Sequence, residues 1–182
     1  MNKIKLKEIG FYTLSDERCR NASVLSPIWR TEILVNDRCN FKCPYCRGLA
    51  NKGDTERDSL FTILDYLFSQ EVKNVRFSGG EPTLYPYLGE AINRCDKNID
   101  IEQIALSTNG SADLNYYKEL IELGVNDFSI SLDACCASTA DIMSGKQGYY
   151  DTIVNNIREL SKLTYVTVGV VFDEKNISQL NG

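Results

Sequence analysis

Histidine is absent from this 182-residue chain. That absence excludes His-ligated zinc, haem held by His, Ser-His-Asp triads and any imidazole general base. No apolar run approaches the ~20 residues that a membrane span needs. The opening Met1-Asn2-Lys3-Ile4-Lys5-Leu6-Lys7 has no apolar core of the secretory type, so the expected compartment is the cytoplasm. Positive charge is scarce as well. A net charge of −5 argues against a sequence-independent nucleic-acid surface, and Lys3, Lys5 and Lys7, the one basic cluster, read as a solvated face. Internal repeats, coiled coils and low-complexity segments are missing. The seven cysteines are odd in number with three in one short loop, which does not read as a disulfide framework.

What is present is an ordinary globular composition, 43% hydrophobic and 25% charged, in a chain of one-domain size that can bury a substantial core. Beyond residue 30, short apolar runs alternate with amphipathic stretches, the signature of a parallel sheet with crossover helices. Strands are predicted at Thr31–Asn36, Asn74–Ser78, Gln103–Ser107, Asp127–Leu132 and Tyr165–Phe172. Their weak alternation suits strands covered on both faces. Leu60, Ile63, Leu64, Leu67 and Phe68 recur at helical spacing, with Asp58 or Ser59 as the cap. Further helices are predicted at Tyr87–Asp96, Leu114–Leu123, where Gly124 supplies the C-terminal cap, and Tyr149–Leu163. Residues 1–30 lack a period and read as an N-terminal extension packed on a core of residues 31–182.

The most informative stretch is Cys39-Asn40-Phe41-Lys42-Cys43-Pro44-Tyr45-Cys46, which follows the first strand. Its C-x3-C-x2-C spacing offers three thiols on a turning loop. Three thiolates can hold three irons of a [4Fe–4S] cube and leave the fourth open to a substrate or cosubstrate. A zinc knuckle with Cys135 or Cys136 as fourth ligand is the bland alternative. The next strand closes with Ser78-Gly79-Gly80-Glu81-Pro82, whose glycines allow a ligand close to the backbone or simply make a tight turn. Ser107-Thr108-Asn109-Gly110 and Ser131-Leu132-Asp133-Ala134 close the third and fourth strands. All of these motifs fall at C-terminal strand ends, where α/β folds place their functional loops.

Together with Asn176-Ile177-Ser178-Gln179-Leu180, these motifs resemble the radical S-adenosylmethionine (SAM) superfamily, and within it the GTP 3′,8-cyclase-like branch. The resemblance implies an α/β fold, a partial (β/α) TIM-type barrel of parallel strands. Five strands are counted where six βα units are usual, so a fragment truncated at about five units is the expectation. The resemblance also implies a [4Fe–4S] cluster on Cys39, Cys43 and Cys46 and reductive cleavage of SAM to a 5′-deoxyadenosyl radical, which takes hydrogen from a substrate. For SAM itself it implies Gly79 and Gly80 against the amino group, with Glu81 beside the ammonium. Tyr45 would lie against the adenine, Ser131 would contact SAM, and Ser107 and Asn109 would reach the ribose or the substrate, although Asn109-Gly110 also reads as a plain turn. The implied partners are an unidentified small molecule or peptide and an electron donor such as flavodoxin or ferredoxin. The different-class alternatives are an iron–sulfur electron-transfer module and an inactive SAM-binding partner subunit.

The branch's GTP-holding cations are only partly matched. Glu32 and Thr167 stand where it has an arginine and a lysine, and only Arg76 keeps its match, which argues against a triphosphate. Arg76 then reads either as the site of an anionic group or as an ion-pair partner of Glu81 or a helix carboxylate. Adjacent Cys135 and Cys136 could be a hydrogen-atom donor, an extra cluster ligand or small packing residues. Cys19 and Cys95 read as structural.

Overall fold

The computed structural model describes residues 30–46 and 53–181. The extension expected over residues 1–30 lies, but for Arg30, outside the described residues, as does Cys19. Five strands form one sheet: β1 (Arg30–Asn36), β2 (Asn74–Gly79), β3 (Gln103–Thr108), β4 (Asp127–Ser131) and β5 (Tyr165–Gly169). They pair in chain order and every pairing is parallel. Between them lie α1 (Arg57–Ser69), α2 (Leu88–Asp96), α3 (Leu114–Glu122), α4 (Ala137–Ser144) and α5 (Tyr150–Leu160). An open parallel sheet with a helix in each crossover is the partial barrel that the sequence led us to expect. No helix among the described residues is long and apolar enough to cross a membrane.

The period of two divides each strand between two environments. Ile33, Val35, Val75, Phe77, Ile104, Leu106, Phe128 and Ile130 are buried in the core with Leu60 and Leu64 of α1, Ile92 of α2, Leu120 of α3 and Ile153 of α5. The alternate positions form a polar inner face. Register places Glu32 beside Arg76, Ala105 beside Asp127, and Ser129 between Ser107 and Thr167. Polar side chains on one face and apolar ones on the other explain why the helices pack on a single side.

Three expectations are corrected. The N-cap residue of helix α1 is Glu56, whose side chain makes no capping bond, and Asp58 lies inside the first turn, where its charge favours the helix dipole. Strand β5 stops at Gly169, and Val170, Val171 and Phe172 lie beyond it, exposed. Burial on both faces, expected of every strand, fails for the two edge strands: β1 exposes Glu32 and Leu34 at alternate positions, and β5 is exposed along most of its length. Helix α4 was not foreseen because Ala137–Ser144 has almost no apolar period and buries only Ala140 and Met143. The Gly124 cap is where the sequence puts it: its amide bonds to the Ile121 carbonyl at φ +122°, a conformation that a side chain would strain.

Candidate active site

The cysteine loop is held from three directions. The Lys42 amide donates to the Ser144 carbonyl at the end of α4 (2.9 Å), and Phe41 is buried edge-on against Tyr149, ring centres 5.2 Å apart. The Asn40 amide donates to Ser111 and its oxygen accepts from the Asn109 amide, both at 2.8 Å. Pro44 and Tyr45 then turn the chain, with the Cys46 amide on the Cys43 carbonyl at 3.0 Å. Burial pushes the thiols of Cys39 and Cys43 up. The Phe41 amide at 3.4 Å and the Asn109 amide at 3.8 Å oppose it at Cys39, and the Tyr45 hydroxyl opposes it at Cys43. Cationic iron would relieve that penalty, and soft thiolates suit iron–sulfur chemistry. The donor set therefore fits a cluster. Among the described residues no three Cys, Asp or Glu side chains are drawn together tightly enough to hold a single metal ion. Cys135 and Cys136 lie outside the cavity that the three thiols line, so the zinc knuckle has no fourth ligand from them.

The glycines of Ser78-Gly79-Gly80-Glu81 have a structural cause as well as an open side. A Cβ on Gly79 would sit 2.4 Å from the Asn36 carbonyl oxygen, and one on Gly80 would sit 2.3 Å from that of Arg38. The Gly80 amide donates to the Asn36 carbonyl (3.0 Å), the Glu81 amide to that of Arg38 (2.7 Å), and the Asn36 side chain to the Glu81 carbonyl (2.9 Å). The ends of β1 and β2 are thus closed onto each other, with the Asn36 side chain as a further tie and no room for a Cβ on either glycine.

Glu81 differs from the expectation of an anion facing a ligand. It is 1% exposed and does not line the cavity. One carboxylate oxygen accepts from the Thr83 amide (3.1 Å) and from the hydroxyls of Thr83 and Thr108 (2.7 Å each). The other accepts from the Asn109 amide at 2.7 Å. Burial raises its pKa and those donors oppose the rise. Thr108 spends its proton on Glu81, so the Tyr117 hydroxyl must donate to Thr108 (2.9 Å). The carboxylate ends a hydrogen-bond chain that fixes the turn after β3.

Every other expected site residue lines one cavity of about 300 Å³ at the C-terminal ends of β2, β3 and β4: Cys39, Cys43, Cys46, Tyr45, Gly79, Gly80, Ser107, Asn109 and Ser131. The Tyr45 hydroxyl donates to Asp133, and burial, then that bond, raise its pKa. Asp133 was quoted in a motif but given no role. Its second oxygen accepts from the Val171 amide (2.6 Å) and its carbonyl from the Asn176 side chain (2.7 Å), which joins the cysteine loop to the segment after β5. Arg76 pairs with neither Glu81 nor a helix carboxylate. It donates to Ser107 at 3.1 Å and lies 3.6 Å from Asp127, beneath the cavity. An inward-facing aspartate at the start of β4 was the available signal.

Cys95 is buried in α2 and its thiol is pushed up to about 12. Cys136 stands at the N-cap position of α4, where its side chain makes no capping bond. The Thr139 and Ser138 hydroxyls, each 3.5 Å from its sulfur, lower its pKa to about 6, while the neighbouring Cys135 thiol is raised. The thiolate of Cys136 is present above that pH and lost below it. Iodoacetamide labelling read by mass spectrometry should therefore give Cys136 a rate that is half-maximal near pH 6, with Cys135 reacting only at alkaline pH. A shared midpoint near the ordinary thiol value of ~8.5 would contradict the effect of these two hydroxyls.

Comparisons with known proteins bear on the family and the fold. The family model described as the radical SAM superfamily matches residues 33–181. The chain is 26% identical over 147 residues to a GTP 3′,8-cyclase of Mesorhizobium japonicum, covering 74% of this chain and 44% of the relative. It is 30% identical over 141 residues to one of Staphylococcus saprophyticus, covering 72% and 42%. The chain thus spans less than half the length of these relatives. Among solved structures it resembles Streptococcus suis SuiB, with TM-score 0.70, 19% identity and coverage of 86% and 36%. It also resembles BtrN in complex with AdoMet and 2-DOIA, with TM-score 0.63, 20% identity and coverage of 86% and 60%. At these identities the structural likeness concerns the fold.

Proposed function

The chain belongs to the radical SAM superfamily, and from that premise we propose that its cavity reductively cleaves SAM to a 5′-deoxyadenosyl radical, which abstracts hydrogen from an unidentified small molecule or peptide. The observation that carries the reading is the convergence of three thiols and three strand ends on one cavity. Cys39, Cys43 and Cys46 would hold the [4Fe–4S] cluster, which when bound supplies the electron and the open iron. Residues 31–182 are the radical SAM core in this reading, and a flavodoxin or ferredoxin in the cytoplasm is the electron donor.

The chain's own residues then divide the work. The backbone at Gly79 and Gly80 receives the amino group of SAM. Tyr45, its ring fixed through Asp133, packs on the adenine, and Ser131 contacts the nucleoside. Asn109 is committed to Asn40 and Cys39, so it steadies the cysteine loop while lining the cavity. Glu81 acts as a positioning residue behind that wall. Phe41 and Met143, buried residues that line the cavity, help keep water from it.

Anaerobic reconstitution tests the ligand set. About four irons per chain are expected, with SAM altering the electron paramagnetic resonance signal of the reduced cluster. The Cys39→Ala/Cys43→Ala/Cys46→Ala variant should bind no iron. Folded protein that takes up none, or a triple variant that retains it, would overturn the assignment.

A further inference from the structure

Cys135 and Cys136 are adjacent thiols on the connection from β4 to α4, outside the cavity and not among the three thiols that line it. Cys135 is exposed and Cys136 partly so. They hydrogen-bond to each other, and the hydroxyls of Thr139 and Ser138 reach the Cys136 sulfur at 3.5 Å each. The result is an unequal pair. The Thr139 hydroxyl, then that of Ser138, lower Cys136 to about 6, whereas hydrogen bonding to Cys136 raises Cys135. An accessible thiolate beside a second thiol is suited to oxidation. Cys95, a buried thiol pushed up to about 12, is the inert contrast in the same fold.

The pair is tied to its surroundings through one glutamine and one peptide. The Cys135 amide donates to Gln179 Oε1 (3.1 Å), which turns Gln179 Nε2 toward Thr139 Oγ1 (2.7 Å). Thr139 thus accepts from Gln179 and keeps its proton for the Cys136 sulfur. The Cys135 carbonyl accepts from the Tyr150 hydroxyl (2.5 Å), and Tyr150 lines the cavity. The peptide that carries this carbonyl is trans. Its two Cα atoms are therefore about 3.8 Å apart, short of the ~4.4–6.8 Å that disulfides usually span. A Cys135–Cys136 disulfide would be strained, which makes it easy to reduce again. Closing so small a ring must also turn the peptide plane, and with it the carbonyl that holds Tyr150.

We propose that Cys136 is a site of oxidation by low-molecular-weight disulfides, that Cys135 resolves the adduct, and that the resulting vicinal disulfide releases Tyr150 at the cavity wall. The Cys136 thiolate attacks one sulfur of the small disulfide, whose S–S bond breaks as a mixed disulfide forms and one small thiolate leaves. Cys135 has then lost the neighbouring anion that held its proton, and the proton passes to the departed thiolate. The Cys135 thiolate attacks the Cys136 sulfur, and the second small thiolate leaves and is protonated by solvent. In balance the two cysteines give up two electrons and two protons, and the small disulfide becomes two thiols. This thiol chemistry stands apart from the reading of the cavity as the active site. Only the consequence of freeing Tyr150 rests on that reading.

Oxidised glutathione is the probe, added anaerobically to the reconstituted holoprotein at about pH 6.5 and read by peptide mass spectrometry. The peptide that spans both residues is expected to lose its two thiol hydrogens, and dithiothreitol is expected to restore them. Cys135→Ser should stop at a glutathione adduct on Cys136. Cys136→Ser should form its adduct several-fold more slowly, because Cys135 alone is an ordinary thiol and mostly protonated at that pH. In anaerobic crystals of the oxidised holoprotein, the Tyr150 hydroxyl should lie beyond hydrogen-bond distance of the Cys135 carbonyl. No mass change at this peptide, equal rates in the two variants, or an adduct on Cys136 that Cys135 does not resolve would each overturn the oxidation pair. A vicinal disulfide with Tyr150 still bonded to Cys135 would overturn the coupling to the cavity. None of these readings requires SAM cleavage, so their failure is separable from a failure of that reaction.

Discussion

Replacing Glu81 by alanine is expected to cost about 3–5 kcal/mol of folding stability, one of the two largest losses that a single substitution at this site should produce. The carboxylate is 1% exposed and receives donors from Thr83, Thr108 and the Asn109 amide. Alanine would leave a cavity lined by stranded donors. The hydroxyls can turn elsewhere, but the Asn109 amide cannot. Glu81→Gln separates charge from shape. Its oxygen can replace the one that serves Thr83 and Thr108, but its NH2 must then face the Asn109 amide, donor against donor. A loss of about 1–3 kcal/mol is expected for it. Urea unfolding of the holoprotein checks both, and a loss below about 1 kcal/mol for Glu81→Ala would contradict the role assigned to this carboxylate.

Gly80→Ala should be comparably damaging for a different reason. The new Cβ would lie 2.3 Å from the Arg38 oxygen and 2.8 Å from the Asp37 carbonyl carbon. Both are backbone atoms, so no side chain can swing aside. Relief requires parting the ends of β1 and β2, which breaks the bonds from Gly80 to Asn36 and from Glu81 to Arg38. About 3–5 kcal/mol is expected, at the upper end for point substitutions. The cysteine loop begins one residue beyond Arg38, so iron retention after reconstitution should fall with stability. Gly148→Ala is the control: nothing lies within 4 Å of its added Cβ, although its φ of +81° still carries backbone strain. A Gly80→Ala protein no less stable than Gly148→Ala would contradict the tight closure of the two strands.

The contrast between these residues shows what sequence could and could not convey. Leu60, Leu64 and Leu67 announced α1 because one helix face is buried, and the strand ends were legible because apolar runs stop where loops begin. The cavity followed, since parallel strands in simple order deliver their C-terminal loops to one side. Glu81 was misplaced because a motif gives a residue's neighbours in the chain but not which side of a wall its carboxylate faces. The partners that settle this, Thr108 and Asn109, come from the next strand. Asp127 as the partner of Arg76 was hidden likewise, since the two are brought together across β3 only by strand register. Helix α4 escaped because a short helix that buries two side chains leaves little periodicity to read. Yet its end carries Ser144, which holds the Lys42 amide, and a Cβ on Gly145 would lie 2.3 Å from the Lys42 oxygen. The cysteine spacing was visible in the sequence, but the support of that loop was not.

The measurement that bears most directly on the central claim is 5′-deoxyadenosine formation. The protein is reconstituted anaerobically with iron and sulfide, then given dithionite and SAM. Deoxyadenosine that accumulates with the native chain and disappears when Cys39, Cys43 and Cys46 are all alanine is the predicted result. An intact cluster that yields no deoxyadenosine would contradict it, and would leave an iron–sulfur protein that does not cleave SAM.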